Sequence, residues 1–183
     1  MLEKAGISFI REPANIDENE IKQEHQSRGS SDEQTALALA ETKARHVSMR
    51  RRGDLVIGAD QILECQGDWL RKPADRKEAL QTLRKLRNRT HLLVSAVAAT
   101  RDGICLWRHV DRARLTMRPF TDEFLRLYLN ETGDEVLASV GAYRIEGLGI
   151  QLFSQIEGDH FTILGMPLLP LLDFLRRDHL LAV

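Results

Sequence analysis

Apolar residues are spaced along the chain in a way that predicts several strands. Residues 55–59 form an unbroken apolar run, as in a strand that is covered on both faces of a sheet. Three more strands are expected at residues 91–100, 104–110 and 112–117, the last of which alternates apolar and polar positions. Another strand is expected at residues 150–156, after a loop punctuated by glycine.

Between these strands, apolar residues return every three or four positions, which is the spacing of helices. Ser30 and Glu33 predict a capping box that opens the first long helix, and the polar residues 12–29 before it predict a surface loop. Other helices are expected at residues 79–86, after Thr121, and over residues 167–177. Because strands and helices alternate without a repeat or a low-complexity linker, we expect one α/β domain over residues 1–183.

The composition narrows the classes of protein that such a fold can serve. The 183 residues are 43% apolar, which suffices for a well-buried core, and a formal net charge of -1 provides no general field for binding nucleic acid or an anionic membrane. No apolar run approaches the roughly 20 residues of a membrane-spanning helix. Cys65 and Cys105 follow no secretory leader and are expected to be reduced thiols. These features predict a soluble cytoplasmic protein.

Asp60 is the first candidate for chemistry because it directly follows the apolar run of residues 55–59. If the strand ends there, the carboxylate lies where open α/β sheets form their ligand crevice, and it could hold a divalent ion or activate water. The alternative is an aspartate that stabilises a turn by accepting hydrogen bonds from nearby amides. Position alone leaves both interpretations open.

Three other charged positions could assist Asp60. Lys43 lies beside the apolar stripe of the first long helix and could reach into a cleft, although a solvated helix lysine is the more common case. Lys72 lies in an extended segment, where its ammonium could neutralise phosphate oxygens. Asp17 and Glu18 could complete a Mg²⁺ site together with phosphates and water, although most such pairs in loops are merely solvated. Each of these positions is a weak indication by itself.

The glycine-rich segment 141–149 could let a ligand approach the backbone closely. Its spacing does not match the dinucleotide-binding fingerprint, which argues against a Rossmann cofactor site. Within it, Glu146 could accept hydrogen bonds from guanine, which offers N1–H and an amino group, or it could simply face water. The chain has no HExxH, paired CxxC or GxSxG motif, so zinc and Ser-His-Asp chemistry are disfavoured, and His91 is expected to be structural.

These pieces occur in an order and spacing that resemble the Maf family. The segments that carry the resemblance run through nearly the whole chain: Asp17-Glu18, Leu39-Ala40 to Lys43-Ala44, Ile57-Gly58-Ala59-Asp60, Lys72-Pro73 with Glu78-Ala79, His91, residues 141–149, and Gly165-Met166-Pro167. The resemblance implies a mixed twisted sheet with flanking helices in two lobes around a central cleft, as in inosine triphosphate pyrophosphatases. It also implies hydrolysis of a nucleoside triphosphate to its monophosphate and pyrophosphate with a divalent metal, Mg²⁺ or Mn²⁺.

The same resemblance implies roles for individual residues. Asp60 would be the proton acceptor and, with Glu18, a metal ligand. Lys43, Lys72 and Glu18 would surround the phosphates of the nucleotide. The resemblance therefore favours the catalytic interpretation of Asp60 over the turn.

Two positions resemble the members of the family that act on 7-methyl-GTP. Gln61 and Glu146 stand where members acting on dTTP or UTP have Thr and Gln, so both are implied in base specificity. An anionic Glu146 would pair with the two donors of guanine and would favour the positive charge of the methylated purine. A pyrimidine presents carbonyl acceptors at that place, which a carboxylate would repel.

The sequence departs from the family pattern at its beginning. Family members have a strand and a Ser-x-Ser-x-x-Arg turn before the segment that corresponds to Met1-Leu2-Glu3-Lys4-Ala5-Gly6, and neither is present in this sequence. Because that arginine is expected to bind phosphate, a second hypothesis is a catalytically impaired nucleotide-binding protein linked to cell division. A third, an inosine-triphosphate-type pyrophosphatase, explains segment 141–149 less well. The sequence leaves open whether the protein forms a homodimer.

Overall fold

The computed structural model describes residues 1–181, and in this part the chain forms a five-stranded sheet. Its strands are β1 (Val56–Cys65), β2 (Asp68–Leu70), β3 (Thr90–Arg101), β4 (Ile104–Met117) and β5 (Phe153–Glu157). They lie in the order β2-β1-β3-β4-β5. Both outer pairs are antiparallel, with Leu63 opposite Leu70 and Leu115 opposite Ile156.

The helices of residues 1–181 differ in how much of their surface is buried. They are α1 (Glu18–Ser27), α2 (Asp32–Ser48), α3 (Arg76–Leu86), α4 (Asp122–Thr132), α5 (His160–Ile163) and α6 (Leu168–Arg177). The buried residues of α2 include Ala36, Leu39, Ala40, Ala44 and Val47, whereas α1 buries no residue. Helices and strands thus alternate, and the predicted α/β class is confirmed. No helix within the described residues is long and apolar enough to cross a membrane.

The prediction of a surface loop over residues 12–29 is wrong for its second half, where the chain forms α1. The Asp17 side chain accepts hydrogen bonds from the backbone N–H groups of Asn19 and Glu20, so it caps the helix and places Glu18 in the first turn. Since α1 has no fully buried residue and Ile21 is its only apolar residue, it has no apolar stripe from which periodicity could reveal it.

The capping box of α2 was predicted one residue too early. Ser31, not Ser30, accepts a hydrogen bond from the backbone N–H of Gln34, and the Gln34 side chain accepts one from the N–H of Ser31. Both glutamine and glutamate serve at this place, so the two registers of this Ser-Ser segment are hard to separate by sequence. The helix itself was predicted correctly.

Three strands are longer or shifted relative to the predictions. β1 continues to Cys65, so Asp60 lies inside the strand and the predicted position at its carboxyl end is wrong. The expected strands at residues 104–110 and 112–117 form one strand, β4, and the strand expected at 150–156 begins only at Phe153, after a 3-10 turn. Polar side chains at Asp60 and Asp111 therefore interrupt the apolar pattern without ending a strand.

The chain divides into two compact units. Unit 1 contains Met1–Gln61, Val94–Arg112 and the described residues from Asp159 onward, and unit 2 contains Ile62–Leu93 and Ala113–Gly158. The core of unit 1 includes β3 and α6 residues, namely Val97, Ala99, Leu171, Phe174 and Leu175. The fully buried leucines of unit 2 include Leu83, Leu86, Leu93, Leu115, Leu125 and Leu152.

A buried aromatic cluster belongs to unit 2. His91 is 1% exposed, and its Nε2 lies 2.8 Å from the Tyr143 hydroxyl. Phe153 packs against both rings, with centroid distances of 6.1 Å to His91 and 4.9 Å to Tyr143. Burial lowers the pKa of His91 to about 4, so the ring is neutral near pH 7. These contacts agree with the structural role expected for His91.

Candidate functional site

The structure brings together three of the predicted site residues in unit 1. The ammonium of Lys43 lies 2.5 Å from Asp60 Oδ1 and 2.7 Å from Glu18 Oε1. The Asp60 side chain is only 8% exposed, whereas that of Glu18 is 42% exposed. A second lysine, Lys22, lies one helical turn along α1, 3.7 Å from Glu18 Oε2. The result is a group of two carboxylates joined by one ammonium, with solvent access on the Glu18 side.

Close packing of α2 on β1 places Lys43 opposite Asp60. Gly58 and Asp60 are two residues apart on β1, so they face the same side of the strand. A side chain at Gly58 would overlap the carbonyl oxygen of Ala40 and would come within 2.8 Å of the backbone nitrogen of Ala44. The missing side chain of Gly58 thus lets α2 approach the strand at the helical turn that carries Lys43.

Burial governs the electrostatics of the pair. Desolvation raises the pKa of the Asp60 carboxyl, and the neighbouring Lys43 ammonium only partly offsets this rise. Desolvation also acts to lower the pKa of Lys43, but Asp60 and Glu18 together outweigh it and hold that pKa above its usual value. We therefore describe Lys43 as a permanent cation and Asp60 as a carboxylate that takes up a proton more readily than an exposed aspartate.

The donor atoms fit a hard divalent cation. Asp60 Oδ2 is buried and has no hydrogen-bond partner among the described residues, so it can still accept a hydrogen bond or bind a cation. Glu18 supplies a second carboxylate at the same ammonium. Among the described residues, no group of three or more His, Cys, Asp or Glu side chains is arranged to hold a metal. Mg²⁺ usually takes only one or two carboxylates when phosphates and water complete its shell, and Asp60 and Glu18 could supply these.

The side chain of Gln61 forms hydrogen bonds that the sequence analysis did not predict. Its amide nitrogen lies 2.9 Å from Ser95 Oγ and 3.1 Å from the carbonyl oxygens of Thr162 and Ile163. These acceptors belong to β3 and α5, and all of them lie in unit 1. The side-chain amide of Gln61 is therefore engaged in intramolecular hydrogen bonds.

Lys72 and Glu146 belong to unit 2, whereas Glu18, Lys43, Asp60 and Gln61 belong to unit 1. Lys72 follows β2 and is exposed. Glu146 is 40% exposed and lies 3.9 Å from a guanidinium nitrogen of Arg144. Arg144 pairs more closely with Glu135, so the carboxylate of Glu146 is only loosely held.

Two of the three glycines of segment 141–149 make room for the protein itself. A side chain at Gly141 would overlap the ring of Tyr143, and one at Gly149 would overlap the backbone of Arg144. Only at Gly147 is the space around an added Cβ open. Close approach of a ligand is therefore not needed to explain Gly141 and Gly149.

A cavity of about 700 Å³ in unit 1 also reaches Lys43. Most of its walls are apolar, and they include Phe9, Ile57, Leu171 and Leu175. Arg11 and Arg51 also line it, but each is paired with a glutamate, Arg11 with Glu3 and Arg51 with Glu12. We therefore do not assign the phosphates to this cavity.

Several residues around the site escaped the sequence analysis. Lys22 would follow from the i,i+4 spacing to Glu18 once α1 is recognised as a helix. Gly58 belongs to the apolar run and to the segment that resembles the Maf family, but its packing role was not predicted, although an isolated glycine in a strand often marks a close backbone approach. Ser95 and Thr162 carry no local signal, because their contacts with Gln61 join distant parts of the sequence.

Comparison with known proteins agrees with the resemblance found in the sequence. A family described as Maf-like protein matches residues 1–178. A nucleoside triphosphate pyrophosphatase of Paramagnetospirillum magneticum is 52% identical over 178 residues, which cover 97% of this chain and 92% of the relative. One of the same name from Granulibacter bethesdensis is 49% identical over 183 residues, covering 100% and 93%.

A 7-methyl-GTP pyrophosphatase of Rhizobium etli is 46% identical over 176 residues, which cover 96% of this chain and 88% of the relative. The similarity to all three relatives extends over both compact units and includes the segments that carry Glu18, Lys43 and Asp60. The chain therefore belongs to the Maf-like protein family.

Proposed function

We propose that this protein is a nucleoside triphosphate pyrophosphatase. Water attacks the α-phosphorus, the bond between the α-phosphorus and the bridging oxygen breaks, and the products are a nucleoside monophosphate and pyrophosphate. The observation that carries the proposal is the buried carboxylate of Asp60, held 2.5 Å from the Lys43 ammonium and keeping one oxygen unpaired. Relatives with this activity in their names, matching almost the whole chain, support the same reaction.

In this proposal Asp60 is the general base. Its raised pKa makes it a better proton acceptor than an exposed aspartate, while the neighbouring Lys43 ammonium favours its ionised form. Lys43 orients the carboxylate through Oδ1, so that Oδ2 stays available to the water or to a metal. Lys72 is proposed as a further cation for the phosphates, on the resemblance to the family.

A bound Mg²⁺ or Mn²⁺ would neutralise phosphate charge and lower the pKa of the attacking water. Asp60 and Glu18 are the residues that would hold it, Asp60 through Oδ2, which has no hydrogen-bond partner among the described residues, and Glu18 through its partly exposed carboxylate.

The replacement of Asp60 by Asn tests the reaction. Asn keeps the size of the side chain but removes the base and its charge, so pyrophosphate release from nucleoside triphosphates should fall by about 10²- to 10³-fold. Asp68→Asn is the matched control, since Asp68 is an exposed partner of Lys85. Unchanged turnover in folded Asp60→Asn would refute the assignment, and nucleotide binding without turnover by the native enzyme would favour a binding protein.

We further propose 7-methyl-GTP as the substrate. The relative from Rhizobium etli that bears this substrate in its name supports the proposal, as does the half-exposed carboxylate of Glu146. Such a carboxylate can accept hydrogen bonds from N1–H and the amino group of guanine. Its charge also favours a purine that is positively charged at the methylated ring.

Glu146→Gln tests this base preference. The variant keeps the shape of the side chain but loses its charge, so the ratio of kcat/KM for 7-methyl-GTP over UTP should fall by about tenfold, which corresponds to about 1.4 kcal/mol. Glu157→Gln serves as the control, since Glu157 is another exposed glutamate of unit 2 and lies 3.9 Å from Arg114. A ratio that stays the same in Glu146→Gln would remove Glu146 from base recognition.

A further inference from the structure

The side chains of Asp60 and Gln61 lie on opposite faces of β1. Asp60 meets Lys43 of α2, whereas Gln61 contacts Ser95 of β3 and the carbonyl oxygens of Thr162 and Ile163 in α5. Successive residues of a strand alternate in this way. Whatever fixes Gln61 therefore also fixes the backbone from which Asp60 projects.

The donor capacity of Gln61 is already in use. A carboxamide nitrogen has two N–H groups, and here three acceptors surround it within 3.1 Å. Gly165 has a φ of +100°, and a Cβ built there would lie 3.9 Å from this nitrogen, so the turn after α5 closes over the amide. No donor of Gln61 is left for a nucleotide base.

The acceptors of Gln61 are themselves held in a buried network. Ser95 and Thr162 are both fully buried, and the Ser95 hydroxyl donates to the carbonyl oxygen of Thr162 over 2.7 Å. The Thr162 hydroxyl donates to Asp111 Oδ2 over 2.8 Å, and Asp159 Oδ1 caps α5 by accepting from the N–H of Thr162. Buried networks whose members are satisfied make a local structure rigid.

Several residues of this network also lie at or next to the ends of the three segments that form unit 1. Unit 1 ends at Gln61, resumes at Val94, ends again at Arg112 and resumes at Asp159. Gln61 and Asp159 are themselves end residues of these segments, while Ser95 and Asp111 each lie next to one. The hydrogen bonds of Gln61 thus tie the end of its segment to both other segments of unit 1.

We propose that Gln61 is a positioning residue, which locks β1 from the face opposite Asp60 and so keeps the Asp60 carboxylate at Lys43. This role rests on the proposed function of Asp60, and it replaces base recognition as the task of Gln61. Met in place of Gln61 keeps most of the volume but removes both N–H donors. Because a displacement of about 1 Å can cost 10²-fold in rate, we expect kcat to fall by about tenfold or more.

The kinetic pattern distinguishes positioning from the other roles. In Gln61→Met the fall in kcat should be equal for 7-methyl-GTP, GTP and UTP, with KM nearly unchanged, because the base is not touched. Ser95→Ala removes one acceptor of Gln61 and should give a smaller fall of the same kind. Gln81→Met, an exposed position on α3, is the matched control and should retain full kcat. Each rate is divided by the concentration of folded enzyme, and circular dichroism measures the folded fraction.

Two kinetic results would overturn the proposal. A changed ratio of kcat/KM between 7-methyl-GTP and UTP would return Gln61 to base recognition, and an unchanged kcat would leave it a purely structural residue. If Gln61→Met does not fold, Ser95→Ala decides by the same two criteria.

Hydrogen exchange tests the lock without relying on turnover. The backbone amides of residues 57–62 should lose about tenfold protection in Gln61→Met and none in Gln81→Met. If native enzyme and Gln81→Met release no pyrophosphate, the proposed function fails and exchange alone decides about the lock. Unaltered protection of residues 57–62 in Gln61→Met would then refute it.

Discussion

At the scale of single residues, Asp60 shows how a neighbouring cation stabilises the charged form of a buried carboxylate. An unpaired carboxylate in an apolar environment would take up a proton, but the Lys43 ammonium at 2.5 Å and the partial exposure of Glu18 keep a charged group stable here. Asp60 Oδ2 nevertheless has no hydrogen-bond partner in the part of the chain that the structure describes, and an unsatisfied buried acceptor costs about 1–3 kcal/mol. Such a cost is consistent with a group that is kept open for a ligand.

Lys43→Met should change both the rate and its pH dependence. Loss of the ammonium removes the charge that lowers the pKa of Asp60, so this pKa rises further and the base is protonated over a wider range of pH. We expect kcat to fall by about 10²-fold and its acid limb to move to higher pH. The measurement is pyrophosphate release between pH 5 and pH 9.

Lys85→Met provides the control for this experiment, because Lys85 pairs with the exposed Asp68. It should leave the pH profile unaltered. An acid limb that does not move in Lys43→Met would mean that the protonation of Asp60 does not control the rate.

At the scale of elements, the contact between α2 and β1 determines the geometry of the site. Ala40 and Ala44 are fully buried, and Gly58 opposite them lets the helix backbone come close to the strand. The small residues of this contact were visible in the sequence as part of an apolar stripe. Their consequence, the placement of Lys43 at Asp60, was not visible, because it depends on how two elements pack.

Gly58→Ala should therefore impair catalysis more than its size suggests. The new methyl group would overlap Ala40 and Ala44, so α2 must move outward and carry Lys43 away from Asp60. We expect a loss of about 1–3 kcal/mol in the free energy of unfolding and a fall in kcat of about 10²-fold. Urea titration and turnover per folded enzyme measure the two effects.

Gly67→Ala is the control that separates a loss of stability from a displacement of α2. Gly67 has a φ of +86° in the turn between β1 and β2, and no atom lies within 4 Å of an added Cβ. The variant should lose stability through backbone strain but should keep kcat. An equal loss of kcat in both variants would show that lowered stability, and not the position of α2, accounts for the effect of Gly58→Ala.

The capping register of α2 can be measured directly. Ser31→Ala removes the side chain that accepts from the N–H of Gln34 and should cost about 1 kcal/mol in the free energy of unfolding. Ser30→Ala should lower the free energy of unfolding by only a few tenths of a kcal/mol, because Ser30 precedes the N-cap residue. Denaturation of both variants in urea compares them, and a larger cost for Ser30→Ala would support the register first predicted by sequence.

At the scale of the whole molecule, two units with separate cores divide the predicted site residues. Glu18, Lys43, Asp60 and Gln61 belong to unit 1, while Lys72, His91 and Glu146 belong to unit 2. The strands β1, β3 and β4 each contribute residues to both units, so neither unit is a continuous stretch of sequence. A change in the core of one unit is therefore expected to affect the unfolding of the entire chain.

His91 should make the stability of the protein dependent on pH. Its pKa is about 4 in the folded protein and 6.5 when unperturbed, so between these values the unfolded chain binds more protons. The free energy of unfolding should consequently fall by about 3 kcal/mol as the pH drops from 7 to 4, and this contribution is fully present above pH 6.5.

His91→Gln is the variant that checks this dependence. Gln can still bond to the Tyr143 hydroxyl but does not titrate, so the difference in stability between the native protein and the variant should shrink as the pH falls. Urea midpoints between pH 4 and pH 8 measure it. Parallel curves over this range would exclude His91 as the source.

The sequence by itself determined the α/β class, the long helix α2, the approximate strands and the set of charged residues that resemble the Maf family. These features follow from apolar periodicity and from the order of short motifs, which are local properties. It did not reveal α1, because this helix has only one apolar residue and so no apolar stripe, and it ended β1 too early, because a polar side chain was read as a boundary.

Only the tertiary structure decided which side chains meet. Lys43 and Asp60 are 17 residues apart, and Gln61 and Thr162 are 101 residues apart, so no local pattern contains these contacts. They arise when α2 packs against Gly58 and when α5 is held next to β1 and β3. The sequence thus singled out Asp60 because of the residues next to it in the chain. Its burial and its contact with Lys43 result from long-range packing.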